Sequence, residues 1–117
     1  MALRIVERRV GPVTVLELTG RITLGDESVQ LRNKLKDLVS GEPRLVLDMA
    51  NVSYIDSAGL ATLIPSFTSP ASQGIRMVLA NLTKQVRKQL SITRLITVLE
   101  TFESVDNAVK SFERSGQ

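Results

Sequence analysis

The chain has 117 residues, a net charge of +3 and 43% hydrophobic residues, while aromatics make up only 3%. That length suits one domain over residues 1–117, burying roughly two-thirds of its unfolded surface in an aliphatic core of the kind that fits a helix-covered sheet better than an aromatic-rich barrel. With no Cys, His or Trp, disulfides, thiol chemistry, imidazole acid–base chemistry and most zinc sites are excluded.

Residues 3–10 carry β-branched Ile5, Val6 and Val10 and read as a strand. Gly11-Pro12 signals a turn, and residues 13–18 read as a second strand, which predicts an antiparallel hairpin. Val13, Val15 and Glu17 fall on one face of that strand, and Thr14, Leu16 and Leu18 on the other. Thr19-Gly20 closes it. Val29, Leu31, Leu35, Leu38 and Val39 mostly recur at helical spacing, predicting an amphipathic helix over residues 26–40. Gly41 is its expected C-cap and Pro43 a stop beyond it. Residues 44–49 predict a compact third strand, with a loop or short extended continuation from Asn51 to Tyr54.

The next helix is expected from Ser57 to about Ile64, capped by Asp56 or Ser57. Pro65 should end or kink it, because the ring clashes with the carbonyl of Ala61. A bent second segment over residues 66–73 would come next. Residues 75–80 predict a fourth strand. A short helix over 83–90, capped by Thr83 or Asn81, would turn Val86 and Leu90 inward. A short strand is expected at 96–99 and a last helix at 104–113, capped by Ser104, with Val105, Ala108, Val109 and Phe112 inward. The order ββαβαβαβα predicts an α/β fold: a four- or five-stranded, mostly parallel sheet with an N-terminal antiparallel hairpin and about four helices. Its crossovers should be right-handed.

The N-terminus has Arg4, Glu7, Arg8 and Arg9 with no apolar block, so it does not read as a signal peptide. The longest uncharged stretch, residues 57–75, is too polar and too interrupted by Gly and Pro for a membrane helix. A cytoplasmic protein with no membrane role of its own is expected. The basic run Lys84-Gln85-Val86-Arg87-Lys88 lacks interleaved aromatics and reads as a solvated helix face, with no direct nucleic-acid contact expected.

Open α/β sheets place function in the loops after the C-terminal ends of strands. Four such loops are expected: Thr19 to Asp26, Asn51 to Gly59, Asn81 to Thr83, and Thr101 to Ser104. The second, Tyr54-Ile55-Asp56-Ser57-Ala58-Gly59-Leu60, is the most unusual. A phosphate on Ser57 would meet unpaired backbone N–H groups and the favourable end of the helix dipole. Ala58 and Gly59 leave room around the hydroxyl. Asp-Ser before Gly is equally an ordinary turn and helix cap, so position alone leaves both readings open. Enzyme chemistry is not expected: Ser57 has no His for a base, and there is no GxxxxGK[ST] loop. Asp48 and Asp56 form only a weak metal pair, and no metal or cofactor is expected.

The run Val-Ser-Tyr-Ile-Asp-Ser-Ala-Gly-Leu after a strand resembles the STAS domain of bacterial anti-sigma-factor antagonists. The resemblance extends to Leu18-Thr19-Gly20-Arg21-Ile22, Leu45-Val46-Leu47-Asp48 and Val78-Leu79-Ala80-Asn81-Leu82, and covers the chain from about residue 3 to Phe112. It implies a STAS-like fold and a partner switch. In such proteins the dephosphorylated form binds an anti-sigma factor that is also a serine kinase. Phosphorylation of the serine after the motif aspartate separates the two, and a PP2C-type phosphatase reverses it. Carried over, the acceptor is Ser57, and the partner-binding positions are Thr23, Asp26, Asp56, Ser57, Ala58, Gly59 and Leu60. Two departures stand out. Thr23 occupies a position where many antagonists have aspartate, with Asp26 the nearby carboxylate. Pro65 interrupts the motif helix. The alternative implied by the same resemblance is a non-phosphorylated STAS scaffold or sensor module in a signalling complex.

Overall fold

A computed structural model describes residues 3–39, 44–61, 76–97 and 99–115. Strand β1 (Arg4–Val10) turns through Gly11, whose φ of 60° suits glycine, into β2 (Val13–Ile22). The two pair antiparallel from Arg4 opposite Thr19 to Val10 opposite Val13. Next, β2 pairs parallel with β3 (Arg44–Ile55), β3 with β4 (Arg76–Ala80), and β4 with β5 (Thr101–Phe102). The spatial order of the five described strands is therefore their chain order.

Helix α1 spans Asp26–Val39, α2 begins at Ser57 and is described over residues 57–61, α3 spans Lys84–Ile92 and α4 Val105–Ser115. Each new parallel strand adds on the same side, so right-handed crossovers put α1, α2 and α3 on one face. There Leu31 and Leu35, Leu60, and Val86 and Leu90 pack with Leu16, Leu18, Ile22, Leu47, Ile55 and Leu79. On the other face, Val13, Val15, Val46, Val78 and Ala80 meet Ala108, Val109 and Phe112 of α4. The two faces of β2 divide as its alternating pattern requires, and Thr14, also fully buried, lies among the valines and leucines of this double-sided strand.

The two later helices start where their caps dictate. Thr83 has extended backbone angles, and its Oγ1 accepts from the Val86 N–H at 3.2 Å. Ser104 Oγ accepts from the Asn107 N–H at 3.0 Å. Lys84, Arg87 and Lys88 are exposed on the outer side of α3.

Of the two readings of residues 51–54, the extended continuation holds: β3 runs from Arg44 to Ile55. Polar Asn51 and Ser53 also fit a loop because they lie on the exposed side of this last stretch, in which only Val52 and Ile55 are buried. Three expectations need correction. Strand β2 does not close at Thr19-Gly20 but runs on to Ile22. The strand expected at 96–99 is also displaced. Arg94 takes a φ of 64°, the chain tightens into a 3₁₀ turn over Leu95–Thr97, and the ladder to β4 forms later at Thr101–Phe102. The apolar side chains Leu95, Ile96 and Leu99 pack against the core from this turn, which explains their hydrophobic run without a strand. Finally, Val29 is 41% exposed. Ser28 takes the inward place on the same stripe as Leu31 and Leu35, its hydroxyl donating to Gly25 O at 3.1 Å. The expected roles of Gly41, Pro43, Pro65 and residues 66–73 lie outside the described residues.

The start of β4 is tied to the approach to β5 by a two-pronged ion pair. Arg76 donates from Nε to Glu100 Oε1 at 2.8 Å and from Nη2 to Oε2 at 2.7 Å, and its guanidinium lies 4.6 Å from the Phe112 ring centre. These hydrogen bonds hold the Glu100 carboxyl below the usual glutamate range. The pair therefore stabilises the fold above the ordinary glutamate value of about 4.3, and that contribution disappears as pH falls through the lowered value. Glu100 has a half-exposed side chain, so Glu100→Gln should cost under about 1 kcal/mol at pH 7 and nothing at pH 2. Urea unfolding at the two pH values checks this. An equal loss at both would assign the effect to packing.

Candidate functional site

The site grows from the far end of β3. Strand β4 accompanies β3 only from Arg44 to Asp48. Beyond that point β2 continues alone beside it, and β3 carries one extra residue twice. Glu17 opposite Asp48 gives way to Thr19 opposite Asn51, and Gly20 opposite Val52 to Arg21 opposite Tyr54. Such bulges bend and twist a strand and re-aim the residues beyond it. Both are braced. Asp48 Oδ1 accepts from the Ala50 N–H and from Asn81 Nδ2, each at 3.1 Å. Ser53 Oγ donates to Gly20 O at 3.2 Å, and Gly20 has a φ of 123° that only glycine adopts readily. Asp48 Oδ1 thus serves as a structural brace.

The free edge of β3 is met by the start of α3. The Thr83 hydroxyl lies 3.4 Å from Val52 O. The Ile55 N–H donates to Gln85 Oε1 at 2.8 Å, and Gln85 Nε2 donates back to Ile55 O at 3.0 Å.

After Ile55 the chain enters α2. Asp56 N donates to Ile22 O at 3.3 Å, tying the exit from β3 to the end of β2. Asp56 is the cap: its Oδ1 accepts from the Gly59 N–H at 2.6 Å, and its carbonyl accepts from the Leu60 N–H at 2.9 Å. Ser57 therefore occupies the first helical position. It is exposed, and its hydroxyl has no partner among the described residues.

Gly59 has a stricter reason than leaving room for a hydroxyl. A Cβ there would lie 2.6 Å from Ile22 O and 3.0 Å from Asp56 Oδ1. Only a glycine lets the first turn of α2 press onto the end of β2.

Of the expected site residues, Ser57 and Ala58 are exposed and Asp56 is half-buried. Gly59 is buried, and the Leu60 side chain is only 3% exposed, in the core beneath the site. Thr23 comes directly after Ile22, the residue that touches both Asp56 and Gly59, so the β2–α1 loop starts at the same edge. The Thr23 hydroxyl donates to Glu27 Oε1 at 3.1 Å, acting as a brace on the first turn of α1. Asp26 is exposed at the start of that helix. Two residues at this edge escape a reading of the sequence. Leu24 is 66% exposed in the loop between Thr23 and Asp26. A large apolar residue outside any periodic stripe is its only signal. Gln85 reads as part of a solvated helix face, and nothing in the sequence marks its bonds to Ile55.

A profile of the STAS domain family matches residues 4–108. The chain belongs to the STAS domain family. The fold recurs in an anti-sigma factor antagonist from Mycobacterium paratuberculosis, with a TM-score of 0.75, 17% identity, and coverage of 93% of this chain and 92% of that one. It recurs in the phosphorylated form of SpoIIAA, a Bacillus cell fate determinant, with a TM-score of 0.69, 16% identity, and coverage of 92% of this chain and 98% of that one. The murine anion transporter Slc26a9 also contains it, with a TM-score of 0.77, 20% identity, and coverage of 92% of this chain but 18% of the transporter. Among the described residues of this STAS chain, no helix is long and apolar enough to cross a membrane.

The packing of Gly59 makes a direct prediction. Gly59→Ala should destabilise the domain by about 1–3 kcal/mol, the usual range for forcing extra atoms into a filled site. The loss should appear in chemical denaturation, with NMR shift changes concentrated at Ile22, Asp56 and Gly59. A neutral substitution with no shift at Ile22 would refute the close approach.

Proposed function

We propose that this STAS protein is a partner switch of the anti-sigma-factor-antagonist kind. Its unmodified form binds an anti-sigma factor that is also a serine kinase, phosphorylation of Ser57 separates the two, and a PP2C-type phosphatase restores the binding form. The observation that carries this reading is the exposed Ser57 hydroxyl, without a partner among the described residues, at the first position of a helix capped by Asp56. The likeness to a SpoIIAA solved in its phosphorylated form supports it at the level of fold.

The docking edge would consist of Ser57 and Ala58 with Thr23, Leu24, Asp26 and the half-buried Asp56. Gly59 and Leu60 would contribute by holding that edge in place from below. A phosphate on Ser57 would add nearly two negative charges beside Asp56. The helix N-terminus accommodates that charge, so the domain keeps its fold. The complex does not, because a surface matched to a neutral hydroxyl must then desolvate a dianion, at several kcal/mol.

A non-phosphorylated scaffold would use the same edge without modification, and one experiment separates the two readings. The chain is incubated with its cognate kinase and ATP, the modified residue is mapped by mass spectrometry, and affinity is measured by calorimetry. Modification on Ser57 alone and a loss of affinity greater than about tenfold, or 1.4 kcal/mol, are expected. Ser57→Ala should bind within a few-fold of the unsubstituted chain and resist release by ATP. Ser57→Asp should bind poorly. Phosphate on another residue, or unchanged affinity after modification of Ser57, would favour the scaffold reading.

A further inference from the structure

Residues 49–55 of β3 have a strand on one side only, yet Val52 and Ile55 are almost fully buried. Buried backbone groups without partners are costly, so something must replace the missing strand. At Ile55 that replacement is the side chain of Gln85. A primary carboxamide has the same donor and acceptor as a peptide group, and Gln85 uses both: Oε1 takes the Ile55 N–H at 2.8 Å and Nε2 gives to Ile55 O at 3.0 Å. The side chain acts as a one-residue strand neighbour. Thr83 anchors the same helix end, capping α3 while its hydroxyl approaches Val52 O.

The place of this clamp gives it meaning. Directly after Ile55 come the Asp56 cap and Ser57. The direction in which the chain leaves Ile55 sets whether Asp56 reaches the Gly59 N–H and which way the Ser57 hydroxyl faces.

We propose that Gln85 is a positioning residue for the Ser57 edge: its carboxamide fixes the end of β3 and so holds Ser57 in the presentation that a modifying enzyme or partner reads. The functional half of this rests on the partner-switch reading, while the structural half does not.

The test uses the full chain and two substitutions. Gln85→Met keeps the length and helix propensity of the side chain but removes both hydrogen bonds. Amide hydrogen exchange at Ile55 and Gly59 should then speed up at least about tenfold, with Val86, Leu90 and Leu47 unchanged. Phosphate incorporation at Ser57 by the cognate kinase should fall by a similar factor in kcat/KM. Gln85→Glu supplies a finer readout. As a carboxylate it can accept from the Ile55 N–H but has nothing to donate to Ile55 O. Protonated, it regains a donor and becomes a near copy of the carboxamide. The NMR amide shifts of Ile55 and Ser57 in this variant should therefore return towards those of the unsubstituted chain as pH is lowered, a rescue that general packing does not produce.

Unchanged exchange at Ile55 and Gly59 in Gln85→Met would overturn the clamp. Equal acceleration throughout α3 and the core would reduce Gln85 to a stability residue and overturn the positioning role. Local loosening with undiminished phosphorylation at Ser57 would do the same. If the unsubstituted chain is not modified at Ser57, the partner-switch reading fails by itself, and the exchange and pH arms still decide whether the clamp exists.

Discussion

Beyond Asp48, β3 continues with a neighbour on only one side, and its peptide groups must find partners in a partly buried setting. Much of the local architecture answers that demand. Asp48 and Ser53 brace the two bulges that bend the strand. Thr83 and Gln85 supply side-chain partners from the start of α3. The short β4 makes this necessary: because it ends at Ala80, the chain turns through Asn81, with its φ of 59°, and brings α3 across the exposed edge. Helix α3 is thus both a cover for the core and a substitute strand.

The second organising contact joins β2 to α2. Ile22 pairs with Ile55, accepts from the Asp56 N–H, and leaves no space for a side chain at position 59. Two segments distant in sequence, the end of β2 and residues 55–59, meet within one turn of chain. The β2–α1 loop leaves from the same place, which brings Leu24 and Asp26 to the edge that carries Ser57. The acidic first turn of α1, Asp26 and Glu27, and the capping carboxylate of Asp56 place carboxylates here before any modification, with the exposed Arg21 at the end of β2.

Much of this was legible in the sequence because local and tertiary preferences agree. The hairpin, α1, α3 and α4 arise from turn residues, caps and helical spacing, and Thr83, Ser104, Val86, Leu90 and Phe112 lie where that spacing puts them. The ambiguous or mistaken readings arise where tertiary context overrides the local signal. Asn51 and Ser53 look like loop residues until the sheet places them on an exposed face. Ile96 and Leu99 look like strand until the left-handed Arg94 tightens the chain beneath the core. At the site, the motif made Asp56 and Ser57 visible because a cap has a local signature. Gln85 stayed invisible because its partner is thirty residues away, and no local rule distinguishes a glutamine that faces solvent from one that completes a sheet.

The close seating of Gly59 on Ile22 has a wider consequence. An edge wedged this tightly has little freedom to change shape, so the proposed modification would act on a nearly fixed surface through charge. Recognition of that sort is read through solvent as a field, and its reach is limited by dissolved ions to a Debye length of about 8 Å at physiological ionic strength. A partner touching Ser57 directly would feel the full change, while one docked a few side chains away would feel a signal that fades with added salt. Ionic strength would then set how far around the domain the modification is heard.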